Sequence, residues 1–301
     1  MKMKLSFIAV MLSFHGMSCD VCGASAGIGS QGLLPSNQFH FIGMHSTYRQ
    51  FKSVQDVLFS DEDRISREHF FRTNISGRWQ FADRWAFLGV IPYVYNWQQQ
   101  VDSTSIMHGL GDLNLHLSYL LFDRSDSVSS HQLRVDGGLK LPTGNYSSVA
   151  LETSNLFPGT GSVDGMVRVN YQFKRQKWGI IGEGAFGLQG TNSTGYRFGN
   201  SLLSSGSVFA IKKTKGSGQL MPFLGANYQW IGTDAINTVP ISPKFNSGHL
   251  FSAEIGVQFI HSNWMFHARF SSPLYQHLSN GNVHTVIGNA EVGIRYLILK
   301  K

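Results

Sequence analysis

The stretch Asp112-Leu113-Asn114-Leu115-His116-Leu117-Ser118-Tyr119 alternates without a break. Leu113, Leu115, Leu117 and Tyr119 fall on one face; Asp112, Asn114, His116 and Ser118 fall on the other. An extended chain sends successive side chains to opposite sides, so a period of two marks a β-strand with one apolar and one polar face. The pattern returns in Gln132 to Leu141, in Val167 to Phe173 and in Phe251 to Phe259. Twelve such segments are marked, at about 38–51, 68–81, 85–97, 110–122, 132–142, 163–173, 177–189, 196–211, 219–230, 249–260, 264–271 and 286–299. Most run well past the mean of about 5–6 residues for strands in globular proteins. Tilted strands of about 9–11 residues cross a bilayer, and these lengths suit that task.

Composition agrees. Charged residues are 14% of the 301, against about 25% in an ordinary soluble domain. Mean hydropathy is only -0.10, with 33 Gly and 13% aromatics. Long disorder, coiled coils and helical membrane bundles are excluded by that combination. Past the first 18 residues no apolar run approaches the ~18 of a spanning helix.

The connections alternate in length. Those at Ser53–Ser66, Gln98–His108, Thr143–Gly161, Gly190–Gly195, Ile231–Ser247 and Ser272–His284 span 14, 11, 19, 6, 17 and 13 residues; those at Ala82–Arg84, Asp123–Ser130, Lys174–Gln176, Lys212–Gly218 and His261–Asn263 span 3, 8, 3, 7 and 3. Long and short ends through an even strand count describe an outer-membrane barrel. Backbone polar groups in lipid must all be paired, which demands closure. The expectation is an all-β, antiparallel transmembrane β-barrel of about twelve strands (about ten to fourteen) over 38–301, both termini periplasmic. Tyr93, Tyr95, Trp97, Tyr228 and Trp230 end strands, while Trp178 and Trp264 begin them, as interfacial girdles would. Pro92 and Pro222 each remove a ladder donor, and bulges or interior irregularity are expected there.

Met1-Lys-Met-Lys4, the apolar run Leu5 to Phe14 and Gly16-Met17-Ser18 have the layout of a secretory signal peptide over 1–18. A cut after Ala26 is the alternative, and 19–37 is expected as a periplasmic segment. Losing Lys2 and Lys4 takes the formal charge from +7 to +5, with no basic cluster pointing to nucleic acid. Cys19 and Cys22, the only cysteines, admit a local disulfide, a soft-metal or redox pair, or lipidation of Cys19.

If the apolar faces meet lipid, the polar faces line an interior. Its candidates are Arg72, Asn74, Arg78, Asp112, Asn114, His116, Arg134, Asp136, Lys140, Arg168, Asn170, Glu183, Glu254, His267, Arg269, Glu291 and Arg295. Their signs are mixed, so no single-sign filter is read from them. No catalytic residue, metal or cofactor is expected. The expected partners are outer-membrane lipid, the barrel-assembly machinery and a small solute. Glu291-Val-Gly293-Ile-Arg-Tyr296-Leu-Ile298 resembles the C-terminal signal read by that machinery, although the chain ends Leu299-Lys300-Lys301.

Several short motifs occur together: Cys19-Asp-Val-Cys22-Gly23, Gly109-Leu-Gly-Asp112, Leu139-Lys-Leu-Pro-Thr-Gly144, Pro158-Gly-Thr-Gly-Ser162 and Gly195-Tyr-Arg-Phe-Gly-Asn200. Their pairing resembles the meta-pathway phenol-degradation family of outer-membrane transporters, and the Cys-x-x-Cys-Gly opening resembles its Bacteroidetes-type members. The resemblance implies a passive transporter for a small, hydrophobic or aromatic solute. A competing enzyme reading rests on His277-Leu-Ser279-Asn280-Gly281, which resembles the His-x-Ser-Asn-Gly element of outer-membrane phospholipase A, where the His activates the Ser for acyl transfer. A non-conducting structural barrel and a secreted soluble β-sandwich complete the alternatives.

Overall fold

The structure is a computed structural model, described over residues 39–55, 64–101, 103–146, 156–214, 218–240, 247–278 and 282–299. The signal-peptide layout, Cys19, Cys22 and Ser279 lie outside these residues. Twelve wall strands follow in chain order: β1 (Phe39–Gln55), β2 (Arg64–Gln80), β3 (Trp85–Gln99), β4 (Thr104–Leu110, resuming as Leu113–Ser125), β5 (Ser129–Leu141), β6 (Asp164–Arg175), β7 (Trp178–Leu188), β8 (Ser201–Ala210), β9 (Gln219–Ile231), β10 (Gly248–His261), β11 (Trp264–Leu278) and β12 (Asn282–Leu299). Each pairs antiparallel with its neighbours in sequence, and β1 pairs with β12 from Phe39↔Leu299 to Gln55↔Asn282. The sheet closes on itself, and the first and last strands meet at the short-turn end.

Closure turns the alternation inside out. Every strand exposes at least one large apolar side chain on its outer face, among them Ile42, Ile75, Leu117, Leu139, Leu224 at 65% and Ile255 at 60%. The inner face is polar: Glu68, Asn96, Asp112, Arg168, Glu254 and Arg295 are all buried. A soluble sandwich would show the reverse, since apolar area drives burial in water. A continuous outer belt of this kind is the lipid-facing surface of a membrane barrel.

Aromatic girdles mark its two edges. Trp85 stacks toward Tyr119 at 4.6 Å and Trp264 toward Tyr296 at 4.9 Å near the short turns. At the long-loop edge His69 stacks on Trp97 at 4.5 Å and its Nδ1 bonds the Tyr48 hydroxyl at 2.7 Å. Such rings suit headgroup depth, with an apolar body and a polar tip.

The strands run further than their alternation. β11 reaches Leu278 and β12 starts at Asn282, so the expected connection Ser272–His284 shrinks to 279–281; Gln98–His108 likewise shrinks to 100–103. The extra residues mix polar and apolar side chains without a strict period of two, as where Leu274 and Tyr275 are both exposed at the bulge opposite Phe251 and Ser252, and hydropathy then stops signalling the strand. Two-residue turns at 176–177 and 262–263 are reached through Gln176 (φ 44°) and Ser262 (φ 51°), the left-handed backbone that tight hairpins use.

Three departures follow from packing. The segment expected at 196–211 splits, because Tyr196–Arg197 leaves the wall and pairs with Ala235–Ile236, which also pairs with Val239–Pro240. Pro92 sits where β4 breaks, so an irregularity is present there. Pro222 shows none: it stays in register with Val257, one residue beyond the end of the β8–β9 ladder at Phe223, where a missing donor disrupts no pairing to β8.

Candidate functional site in the barrel interior

The break in β4 is the centre of a knot made by the short motifs. Gly111 N–H donates to the Pro92 carbonyl at 2.8 Å, and Asp112 turns its carboxylate inward. Asp112 Oδ1 accepts from Gly144 N–H at 3.0 Å; its Oδ2 accepts from the Thr160 N–H at 2.8 Å and hydroxyl at 2.9 Å. Lys140 donates to Thr160 Oγ1 at 2.7 Å, lies 3.7 Å from Asp112 and pairs with Asp164. A Cβ on Gly144 would stand 2.9 Å from the Gly159 Cα, and one on Gly159 would stand 2.8 Å from Asp112 Oδ1. Only glycine lets these backbones approach so closely. A second anchor is Asp234, whose carboxylate accepts from the Tyr196 hydroxyl and from Gly199 N–H at 2.6 Å.

The knot brings part of the 142–163 connection into the barrel. Leu156 is fully buried, and its carbonyl accepts from Asn96 Nδ2 at 2.9 Å. It packs with Phe51, Phe70, Ile231, Leu250, Leu278 and Val286 in an apolar cluster at the long-loop end of the interior. Smaller clusters occupy the short-turn end, one around Phe41, Leu88, Met265 and Leu297 and one around Ile181, Phe209 and Met221.

Between the apolar ends lies a belt of charge. Three groups of the candidates named from sequence come together in it. Asp112, Asn114 and Lys140 belong to the knot, where Asn114 Nδ2 donates to the Asp112 carbonyl at 2.9 Å. Arg168 lies 3.7 Å from Glu183, which Asn170 reaches at 3.5 Å. Arg269 bridges Glu291 at 2.5 Å and Glu254 at 3.5 Å, and His267 Nε2 meets Glu291 at 3.0 Å. The others lie around these groups. Asn74 bonds His45 at 2.9 Å, Arg78 donates to the Phe39 carbonyl at 2.9 Å, and Arg295 lies 5.2 Å over the Phe41 ring. Asp136 faces Arg168 across β5 and β6, and Arg134 faces Asn170. Arg72 pairs in register with Val94 and His116 with Gly138. Asn74, Arg78, His116, Arg134, Asp136 and Arg295 are buried, and Arg72 is half-buried.

Sequence reasoning missed Leu156, Thr160, Asp164, Asp234 and Glu68. Glu68 is fully buried and accepts from Ser53, Ser66 and Gln98 at 3.0–3.2 Å. The Gly-Thr-Gly-Ser spacing was the available signal for Thr160, while nothing local marks Leu156. His277 lies on the exposed outer side of β11, away from every interior group. No cluster of three or more metal-ligating side chains occurs among the described residues.

A family model described as "Putative MetA-pathway of phenol degradation" matches residues 64–273, the span that holds the knot and all of the belt except Glu291 and Arg295. The chain belongs to this family. No curated protein matches it in sequence. Its fold is similar to that of an outer membrane channel from Pseudomonas putida F1, with TM-score 0.62 and 13% identity over 90% of this chain and 99% of that one. The beta domain of the Bordetella autotransporter BrkA follows at TM-score 0.47 and 10% identity, over 87% and 100% of the two chains. The CymD monoaromatic hydrocarbon channel gives 0.41 and 9%, over 96% and 99%. The family member described here is an outer-membrane β-barrel.

Proposed function

We propose that this barrel is a passive channel for a small, hydrophobic or aromatic solute. One observation carries the reading: the apolar cluster of Phe51, Phe70 and Leu156, the largest of the buried apolar clusters among the described residues, at the long-loop end of a barrel interior whose middle is a polar belt. A membrane barrel folds by giving its apolar face to lipid and needs no apolar core. An apolar interior patch at one mouth therefore has another use, and partitioning of an apolar solute is the simplest. Ligand sites are lined mainly by such side chains with a few polar groups, and the charged belt below supplies those. Family membership and the resemblance to channels support the same reading, which makes the chain a transporter rather than an enzyme.

On this reading the short turns and both ends of the wall face the periplasm, and the 1–18 segment directs export. The barrel is inserted by the assembly machinery through its last strand. The Cys19-to-Gly23 motif supports a Bacteroidetes-type origin. The belt residues, Arg134, Arg168 and Glu183 among them, line the path. Reconstitution into liposomes tests the proposal: a small neutral aromatic should equilibrate faster than across protein-free vesicles, and Leu156→Ser should raise both that flux and single-channel conductance. A barrel that stays silent, as wild type and as Leu156→Ser, would sink the channel reading. The dense ion-pair belt favours a second reading, a filled structural barrel, and that outcome would establish it.

A further inference from the structure

Toward the long-loop end, the outer face of the wall changes character rung by rung. Met44, Ile75 and Ile91 share a level in mid-strand. Further along come Tyr48, Phe71 and Tyr95, then Gln50 with His69 stacked on Trp97. One rung beyond Trp97, about 7 Å along the strand, the register aligns Thr285, Lys52, Arg67, Gln99 and Thr104 across β12, β1, β2, β3 and β4. Lys52 and Arg67 are direct cross-strand partners in that row, and both are exposed.

Directly opposed like charges destabilise an antiparallel pair, and nothing in the described wall relieves this one. Neither side chain takes part in an ion pair among the described residues. No described carboxylate stands on the outer face at this row or at the two rungs beneath it. The neighbours in the row, Thr285, Gln99 and Thr104, are neutral groups that can donate hydrogen bonds. What complements the row is a compact anion carrying nearly two charges. A guanidinium offers phosphate oxygens a two-pronged fork, and an ammonium adds a point charge. A phosphomonoester carries about −1.5 to −2 at pH 7, whereas a phosphodiester carries a single charge. Because the row stands just past the aromatic girdle, it lies at headgroup depth, directly above the face given to lipid.

We propose that Lys52 and Arg67 bind the phosphomonoester headgroup of a membrane lipid, its chains lying along Phe71 and Ile75. The site needs the lipid-facing wall and no open pore; only the leaflet that supplies the lipid rests on the orientation proposed above. Native mass spectrometry of the detergent-purified full chain tests it with dioleoyl phosphatidic acid, against dioleoyl phosphatidylglycerol, a diester with the same chains, and with inorganic phosphate as competitor. Phosphatidic acid should bind at least tenfold tighter than phosphatidylglycerol, and inorganic phosphate should displace it poorly. Lys52→Gln combined with Arg67→Gln should erase the preference. Lys212→Gln combined with Lys213→Gln, an equal loss of charge beyond β8 at the short-turn end, should keep it. Thermal unfolding in neutral detergent gives a second measurement: phosphatidic acid should raise the midpoint of the wild type and not that of the Lys52/Arg67 variant. Equal binding of the two lipids, a preference or midpoint rise that survives in that variant, or loss of the preference in the Lys212/Lys213 control would each overturn the proposal. Inorganic phosphate that competes as well as phosphatidic acid would mark a site for free anions and overturn the lipid assignment. A silent barrel that prefers phosphatidic acid keeps this site and loses the channel; a conducting barrel without the preference does the opposite.

Discussion

At the scale of single residues, the glycines of the knot do the most with the least. Gly159→Ala places a methyl 2.8 Å from both Asp112 Oδ1 and the Gly144 backbone. It should cost about 1–3 kcal/mol, the usual penalty of overpacking, read from urea unfolding in lipid vesicles. Gly137→Ala is the control: a Cβ there meets nothing within 4 Å, so stability should hold or rise. Asp126 offers a pH test outside the membrane span. Its carboxylate accepts from the N–H groups of Val128 and Ser129, both at 2.7 Å, and from the Ser129 hydroxyl at 2.8 Å. The backbone bonds chiefly hold its carboxyl below the usual carboxylate range. A lowered folded value means that the turn gains stability above the unfolded value, about 3.9, and loses it as pH falls through the folded one. Carbon-13 titration of Asp126 should show a midpoint below about 3.9; one at or above it contradicts these bonds.

At the scale of elements, alternation located all twelve strands because lipid and interior impose opposite demands on successive residues. It failed where those demands lapse. The tops of β3 and β11 carry Gln98-Gln99 and Ser272-Pro273-Leu274-Tyr275, which stay in the sheet without a regular alternation to show. Long-range bonds were equally illegible: Asp112 reaches Thr160 across 48 residues and Asp234 reaches Tyr196 across 38. The interior candidates were readable as a polar face, but which acids meet which bases depends on register. β2 tests the outer face. Ile75 is 53% exposed in mid-strand, opposite Ile91 and Met44. Ile75→Arg should destabilise the barrel by about 2–4 kcal/mol, the cost of Arg near a bilayer midplane. Asn74→Arg, one residue along, should not incur that lipid cost. Unfolding in vesicles that gives equal losses for both would place Ile75 away from lipid.

At the scale of the whole molecule, the decisive feature is that β1 and β12 meet. Tyr48 and Ala290 are register partners on the outer face. Directly opposed residues of antiparallel strands lie about 4.5–5.5 Å apart at Cα, within disulfide reach. Replacing Cys19 and Cys22 with Ser and introducing Tyr48→Cys with Ala290→Cys should give a cross-link on mild oxidation. The circularised product would migrate faster in denaturing gels until reduced. No cross-link in folded protein would mean that the sheet does not close in this register.

The rim of this closed wall is uneven. β5 stops at Leu141 and β6 starts at Asp164, level with the break at Gly111, whereas β3 continues from Tyr93 to Gln99 and β1 to Gln55. The molecule therefore has a tall flank and a low one, and the low one is capped by the knotted segment. On the proposed orientation, an antibody or a phage approaching the cell would meet β1 to β3, with β11 and β12 beside them, before the low flank. The described parts of the cap, 142–146 and 156–163, would sit lower, among the sugars of the surrounding lipid, so of the described residues the tall flank is the one most open to recognition from outside.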